Sequence, residues 1–351
     1  MLPSKTMLPL KTMLTVGTFS LFMALPSLIP ALQQFQPTKN ASLVIQRIPL
    51  VWDLPVPFSQ DLAGLNLEEL RAARAVAVAR EQLIDPNHEL DHFYQALYKQ
   101  AIQKGGPVRV VHYGDSPTTA DMITADVRGL LQKQFGDAGA GFLLIAKPWA
   151  WYQHRGVAMD AKNWSIDVAG AAANIQDGLF GLGGSRVRGN PGGVASWTFP
   201  DKQQTSAEVA FQAMPGGGSF VFEADEKQVG KVDTAASEIH PDYASFSIPA
   251  GASRFRLRVD AGFVQLFGVE FRTDQPGIIY SNLGINGANV TMVSRTLDKN
   301  HMTAQLRHYK PDLVVLAYGT NDSDYRRFVD RYWSAEMDVA VKWVRAALPD
   351  A

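Results

Sequence analysis

The sequence predicts an α/β fold, a parallel sheet with crossover helices that is interrupted by an inserted antiparallel β-sandwich or jelly roll. Three apolar, mostly β-branched runs at about 108–113, 277–283 and 311–318 each end in a glycine-plus-polar cluster and each precede a helical pattern. Between the first and the second, over about 164–273, helical periodicity gives way to short alternating runs separated by turn clusters such as Pro215-Gly216-Gly217-Gly218. With 351 residues, 46% of them hydrophobic and 19% charged, the chain has the make-up of an ordinary globular protein. That length is enough for roughly two or three domains.

Taken in order, residues 1–40 carry Lys5 and Lys11 and then a largely apolar run over 13–32, the layout of an export signal. Pro26 and Pro30 interrupt the run, and no clean small-residue cleavage site follows it, so a cleaved signal peptide and a retained N-terminal anchor both fit. Either implies an exported protein: periplasmic, secreted, or attached to the outer face of a membrane through residues 13–32. Residues 41–65 are proline-bearing and read as a linker. Helical patterns follow at about 65–83 and 90–103, the second with Phe93, Leu97 and Ile102 on its apolar face. Asp91-His92 within it are neighbours that do not share a helix face, which favours a solvated pair over an acid-base pair.

The strand at 108–113 ends in Gly114-Asp115-Ser116, and Met122, Ile123, Val127, Leu130 and Leu131 then recur at helical spacing, with Thr118, Thr119 and Asp121 available as caps. This places Ser116 at the mouth of a parallel sheet, where the first-turn N–H groups favour developing negative charge. A plain capped turn is the other reading of the same residues. The glycine-rich stretch 135–142 suits a tight connection with close backbone approach; it lacks the Lys-Ser/Thr ending of a phosphate loop, so no nucleotide is expected. Trp149, Trp151, Tyr152, His154 and Arg155 either line a pocket or anchor a loop. The β-rich stretch predicts about seven to nine strands. After it, the second parallel strand leads into Gly284-Ile285-Asn286-Gly287 and a helix over about 288–308. The third leads into Gly319-Thr320-Asn321-Asp322 and a helix over about 329–347 with Tyr332, Met337, Val341 and Val344 inward. Ligands of open α/β sheets bind at the carboxyl ends of the strands, so the three clusters make one candidate site.

Composition narrows the partners. A net charge of −1 with no basic stripe offers no footprint for nucleic acid. The absence of cysteine removes disulfides, zinc-thiolate sites and thiol nucleophiles together. No metal and no cofactor is expected.

Gly114-Asp115-Ser116, Asn286-Gly287 and Gly319-Thr320-Asn321-Asp322, in that order and each after a strand, resemble blocks one to three of the SGNH (GDSL-type) hydrolases. The resemblance covers about 107–150 and 276–351, and implies a flavodoxin-like three-layer core around the insertion. It implies Ser116 as nucleophile, with its own N–H, the Gly287 N–H and the Asn321 side chain as oxyanion hole, and Gly114, Asp115 and Asp322 as neighbours. The Thr-Ala-Asp after the serine, the glycine-rich turn and the β-rich insertion are similar to exported peptidoglycan O-acetylesterases. These commonly carry histidine after the serine, where this chain has Pro117. The expected activity is that of a serine esterase removing acyl, foremost O-acetyl, groups from cell-envelope carbohydrate through an acyl-enzyme. O-Acetyl transfer to glycan and non-catalytic carbohydrate binding on the same scaffold are the alternatives. Trp151, Trp164 and Trp197 are the candidate sugar-stacking residues.

A serine also needs a base. In the family an Asp-x-x-His after block three supplies it, and past Asn321 this sequence has no histidine. Asp298-Lys299-Asn300-His301 has the spacing but precedes block three, on a helix expected to lie against a sheet face. The resemblance therefore implies that the pair lies beyond Ala351 and that the 351-residue chain by itself turns over little or no ester. The expected layout is 1–40 signal peptide or anchor, 41–106 linker and helical hairpin, 107–150 first part of the core, 151–275 inserted β-rich domain, and 276–351 a truncated second part of the core.

Overall fold

The computed structural model describes residues 84–103, 105–170 and 177–349. The expectations for the export segment, the linker and the first helix lie outside the described residues. Among the described residues no helix is long and apolar enough to cross a membrane. The described strands and helices belong to one compact unit that begins at Asn87.

The first described element, α1 (Asp91–Gln103), precedes strand β1 (Val108–Gly114). Leu97 is buried as expected, but Ile102 is exposed, and Gln100 is buried with its amide donating to the Phe135 carbonyl at 2.6 Å. A short helix α2 (Ser116–Thr119) and then α3 (Met122–Phe135) follow β1, and β2 (Gly141–Leu143) comes after the glycine-rich turn. Gly136, Gly139 and Gly141 in that turn have positive φ, and a Cβ on any of them would lie 2.4–2.7 Å from a backbone carbonyl oxygen of 271–280. The close approach read from the sequence is therefore present.

Among the described residues ten strands follow between 158 and 272: β3 (Ala158–Lys162), β4 (Ser165–Val168), β5 (Ser185–Gly189), β6 (Val194–Thr198), β7 (Ser206–Ala213), β8 (Ser219–Ala224), β9 (Lys227–Asp233), β10 (His240–Ser247), β11 (Arg254–Ala261) and β12 (Val264–Arg272). They form two antiparallel sheets, β10-β7-β12-β5-β4 with β2 also on β12, and β3-β6-β11-β8-β9. The sequence reading missed β3, β4 and β5, which are four or five residues long and carry polar or charged residues; β3 and β4 are edge strands, and β5 lies inside its sheet. It also assigned residues 141–143 to the α/β core, whereas β2 pairs with β12.

Two hydrophobic cores result. One is made by alternate residues of both antiparallel sheets, with Trp197, Phe199, Phe211, Phe220, Phe222, Phe255 and Phe271 in it. In β12 the inward set switches from Val264 and Leu266 to Val269 and Phe271, because a bulge at Leu266/Gly268 adds one residue and inverts the alternation. The other core joins Val111 and Tyr113 of β1 to the later helices and to Phe142, Ala210 and Phe267 of the β-rich part. Where the two parts meet, Glu208 and Glu270 are buried and answered. Arg109 donates two bonds to Glu270 at 2.7 and 2.8 Å, and Arg272 and His308 each reach Glu208 at 2.8 Å. Removing one partner of such a pair strands the other charge, so these contacts fix how the layers sit.

The chain returns to the parallel sheet with β13 (Ile278–Gly284), continues through a π-helical turn (Met292–Thr296) and α4 (Lys299–Tyr309), and adds β14 (Leu313–Ala317). Leu297 is extended and Asp298 restarts the helix as its N-cap, which is why the helix expected over 288–308 is two pieces. The three parallel strands lie in the order β13-β1-β14, second-first-third in the chain. The last helix, α5 (Ser334–Ala347), is entered through a π-helical turn (Val329–Trp333). That extra residue per turn rotates the later side chains relative to a regular helix. Of the four residues expected inward, Val344 is buried and Met337 packs against the core, whereas Tyr332 and Val341 are 50% and 40% exposed; Ala340, Trp343 and Ala347 complete the buried face.

Candidate active site

The parallel register brings Gly114, Gly284 and Ala317 level, so the three glycine-plus-polar clusters leave the sheet at one edge. Helix α2 starts there. A Cβ on Gly114 would lie 2.2 Å from Thr118 Oγ1, and one on Gly284 2.2 Å from the Thr119 nitrogen. Glycine at both strand ends is what lets the short helix sit against them. The Asp115 carbonyl accepts from the Thr119 N–H at 2.9 Å and from its hydroxyl at 3.1 Å, which closes the turn around Ser116.

Ser116 is half-buried, and its Oγ donates to Asn286 Oδ1 at 2.9 Å. Asn286 and Gly287 are the middle of a β-turn closed by the Ala288 N–H on the Ile285 carbonyl at 3.1 Å. Gly287 has φ +74°, which favours glycine, and nothing lies within 4 Å of where a Cβ would stand. The approach to its backbone is open. The Asn321 side-chain amide donates to the Ala288 carbonyl at 2.8 Å and, more weakly, to Asp115 Oδ2 at 3.4 Å. One asparagine thus touches the neighbours of both Ser116 and Gly287. Asp322 is buried and accepts from the Val290 N–H at 3.2 Å, and burial raises its pKa.

The turn after Ser116 differs from the expected cap. Asp121 stands at the N-cap of α3 with φ +53°, but its carboxylate makes no capping bond. It takes Arg128 at 2.7 and 3.1 Å and Thr124 Oγ1 at 2.7 Å. Burial by itself would raise the Asp121 pKa; the Arg128 guanidinium, together with its other partners including the Arg155 N–H, outweighs it and holds the group low.

None of the described histidines hydrogen-bonds Ser116. His112 meets the Tyr280 hydroxyl at 2.5 Å, His154 Nε2 donates to the Ala140 carbonyl at 2.9 Å, and His308 is taken by Glu208. His92 lies 3.4 Å from Asp312 and Asp91 lies 3.9 Å from His88, so the two neighbours, read as a solvated pair in preference to an acid-base pair, face different partners. Asp298-x-x-His301 is a helix cap: Asp298 Oδ1 accepts from the His301 backbone N–H at 2.8 Å. The His301 ring packs edge-on against Phe267, and burial lowers its pKa to about 4. Among the described residues no three His, Asp or Glu side chains are grouped to hold a metal.

No family model matches the chain, and no curated protein matches it. Solved structures do. The fold is similar to that of a peptidoglycan O-acetylesterase. The TM-score is 0.61 at 23% identity, over 74% of this chain and 69% of the esterase. That likeness shows a mixed α/β fold with a parallel sheet and antiparallel sheets. A carbohydrate-binding module of Cellvibrio mixtus lichenase 5A, solved with cellotriose, and the K1 adhesin domain of Lys-gingipain from Porphyromonas gingivalis also match. They cover 38% and 34% of this chain, and all and 92% of their own, at 14% and 11% identity. Their TM-scores of 0.22 and 0.26 are too low to assign a fold to any segment.

On this frame the three tryptophans separate. Trp197 is 0% exposed between the antiparallel sheets, so it is a core residue and no sugar can stack on it. Trp164 is half-buried, with its ring over Gly189 and its N–H on the Val194 carbonyl at 2.9 Å, as a strand anchor. Trp151 is 51% exposed on a loop tied back to the Ser116 side: Gln153 donates to the Ala120 carbonyl and the Arg155 N–H to Asp121, both at 2.7 Å. Two residues escaped the sequence reading in their structural roles. Asn286 was visible only as the residue before the block-two glycine, and Asp121 only as a cap and as the last residue of the Thr-Ala-Asp that follows the serine.

Proposed function

We propose that this protein is a serine esterase of the SGNH type that removes acyl, foremost O-acetyl, groups from cell-envelope carbohydrate through an acyl-enzyme. The observation that carries the reading is the joining of three strand ends around Ser116, through its bond to Asn286 and through Asn321 on Ala288 and Asp115. In this reading Ser116 Oγ attacks the acyl carbonyl, the sugar oxygen leaves with a proton, and water then releases the acid and restores the serine. The N–H groups of Ser116 and Gly287 and the Asn321 amide receive the negative charge that builds on the carbonyl oxygen. Preorganised donors of this kind act where water is excluded and need no reorganisation at the moment of reaction. Trp151 offers an exposed aromatic face for a sugar ring, on the loop tied to Ala120 and Asp121. Export through residues 1–40 is the matching proposal for location.

The experiment is acetate release from O-acetylated peptidoglycan and from an aryl acetate by the protein in its full natural length, with Ser116→Ala beside it. Serine-dependent release from both supports the esterase reading, and turnover that survives Ser116→Ala refutes it. Acetyl transfer to an added sugar acceptor would show that a hydroxyl replaces water in the second step.

One observation favours a second reading, a glycan-binding protein on the same frame: no described imidazole bonds to Ser116. Glycan binding by wild type and Ser116→Ala alike, with no acetate released by either, is the result that selects it.

A further inference from the structure

The most heavily bonded side chain near Ser116 has no part in the acyl-transfer steps. Asp121 is buried, and besides Thr124 and both terminal nitrogens of Arg128 it accepts from Asn282 Nδ2 at 3.2 Å and from the Arg155 backbone N–H at 2.7 Å. These donors come from α3, from β13 and from the loop that carries Trp151. Two routes lead from it to the serine. Along the chain, the Asp121 N–H bonds the Thr118 carbonyl at 3.0 Å and the Ala120 N–H bonds the Ser116 carbonyl at 3.1 Å. Across the sheet, Asn282 Oδ1 accepts from the Gly284 N–H at 3.2 Å, two residues before the Asn286 that holds Ser116 Oγ.

We propose that Asp121 is a positioning residue that holds the Ser116 turn and the Trp151 loop in one geometry, so that the acyl-transfer centre and the glycan contact are set together. The proposal rests on the esterase reading. Its chemical basis is acceptor count. A carboxylate turns acceptors on both sides and serves donors from three elements at once, whereas an amide has one acceptor oxygen and two N–H donors of its own. In Asp121→Asn the oxygen can keep Thr124 and Asn282, but the new –NH₂ then points at the Arg155 N–H and at Arg128. Donor faces donor, and the loop is released on the side where Trp151 stands.

The test uses the full natural-length protein labelled with fluorotryptophan, with the Trp151 fluorine line assigned by Trp151→Phe. In Asp121→Asn the Trp151 line shifts or broadens while the Trp197 line, in the other core, stays in place. Misplacing a reacting group by about an ångström costs on the order of a hundredfold, so kcat on an aryl acetate falls about tenfold to a hundredfold. Gln153→Ala cuts only the tie to Ala120: it moves the Trp151 line and raises KM for acetylated glycan, with kcat on the aryl acetate unchanged. A Trp151 line that stays put in both variants overturns the proposal. So does a Trp151 line that moves in Asp121→Asn while aryl acetate turnover stays at the wild-type value, because the two are then uncoupled. Loss of the Trp197 line along with that of Trp151 also overturns it, since Asp121 then serves the fold as a whole. Turnover that persists in Ser116→Ala overturns the esterase reading instead, and the fluorine lines still decide the positioning claim.

Discussion

Replacing Asn321 by alanine separates the proposed oxyanion role of this residue from its structural one. Its amide is the only side-chain donor of the three proposed, and in the resting protein it is held by the Ala288 carbonyl at 2.8 Å with a weaker 3.4 Å contact to Asp115. If the proposed role holds, the alanine variant loses a donor to the developing oxyanion, and one such donor is worth about 3–4 kcal/mol, or roughly 10²–10³ in kcat. It also leaves the carbonyl of buried Ala288 without its partner, at a cost of about 1–3 kcal/mol in stability. For a unit of this size that lowers Tm by about 2–4 °C per kcal/mol. KM should change little, because the donor is engaged in the transition state more than in the bound ester. Asn321→Asp puts an acceptor where a donor is needed, beside the Asp115 carboxylate, and should be no more active than the alanine variant. The assay is steady-state aryl acetate hydrolysis by the full natural-length protein, with a urea melt on each variant. A kcat within about threefold of wild type in a folded Asn321→Ala protein would refute the oxyanion role.

Other perturbations read other links. Trp151→Ala should weaken glycan binding by roughly 0.5–1.5 kcal/mol without moving the urea midpoint, whereas Trp197→Ala should cost about 3–5 kcal/mol of stability. Titration calorimetry and urea melts on the two variants test this, and an unaltered glycan affinity in Trp151→Ala removes that residue from the sugar contact. Asp298→Ala removes the cap of α4, so it should lose about 0.5–2 kcal/mol of stability while each folded molecule keeps its wild-type kcat. A selective loss of kcat would restore the Asp298-His301 pair as catalytic. Burial lowers the pKa of His112, His154 and His301 from 6.5 to about 4. Between those values the unfolded chain binds protons that the folded chain refuses, so stability is full above pH 6.5 and falls as pH drops toward 4. Each histidine contributes up to about 3 kcal/mol of that fall. Urea midpoints across this range should show it, and His301→Gln should flatten the slope; an identical slope would mean that this imidazole is already charged or solvated in the fold.

Much of the fold was legible because the signals were local. The runs that became β1, β13 and β14 were apolar and β-branched and ended at glycines, and the seven strands read between 194 and 271 had alternation and turn clusters to mark them. The strands β3, β4 and β5 are only four or five residues long, too short for an alternation to stand out, and the inner face of the last helix was misread at Tyr332 and Val341 because a π-helical turn leaves no trace in apolar spacing. At the candidate site, Ser116, Gly287 and Asn321 could be named from motif order. Trp197 could not be told from Trp151, since a tryptophan looks the same in sequence whether a second sheet covers it or water does.

The sequence by itself determined which residues stand at the ends of the parallel strands, because a glycine followed by polar residues stops a strand wherever the strand is later placed. Only the tertiary structure decided what those residues do to one another. The level register of β13, β1 and β14 brings Asn286 to Ser116 and Asn321 to Ala288, contacts that span 170 and 33 residues of chain. It also turned Asp121 from a helix cap into the acceptor for donors on three elements. Hydrogen bonds between distant residues depend on where the sheet and its layers carry them, and no local pattern records that.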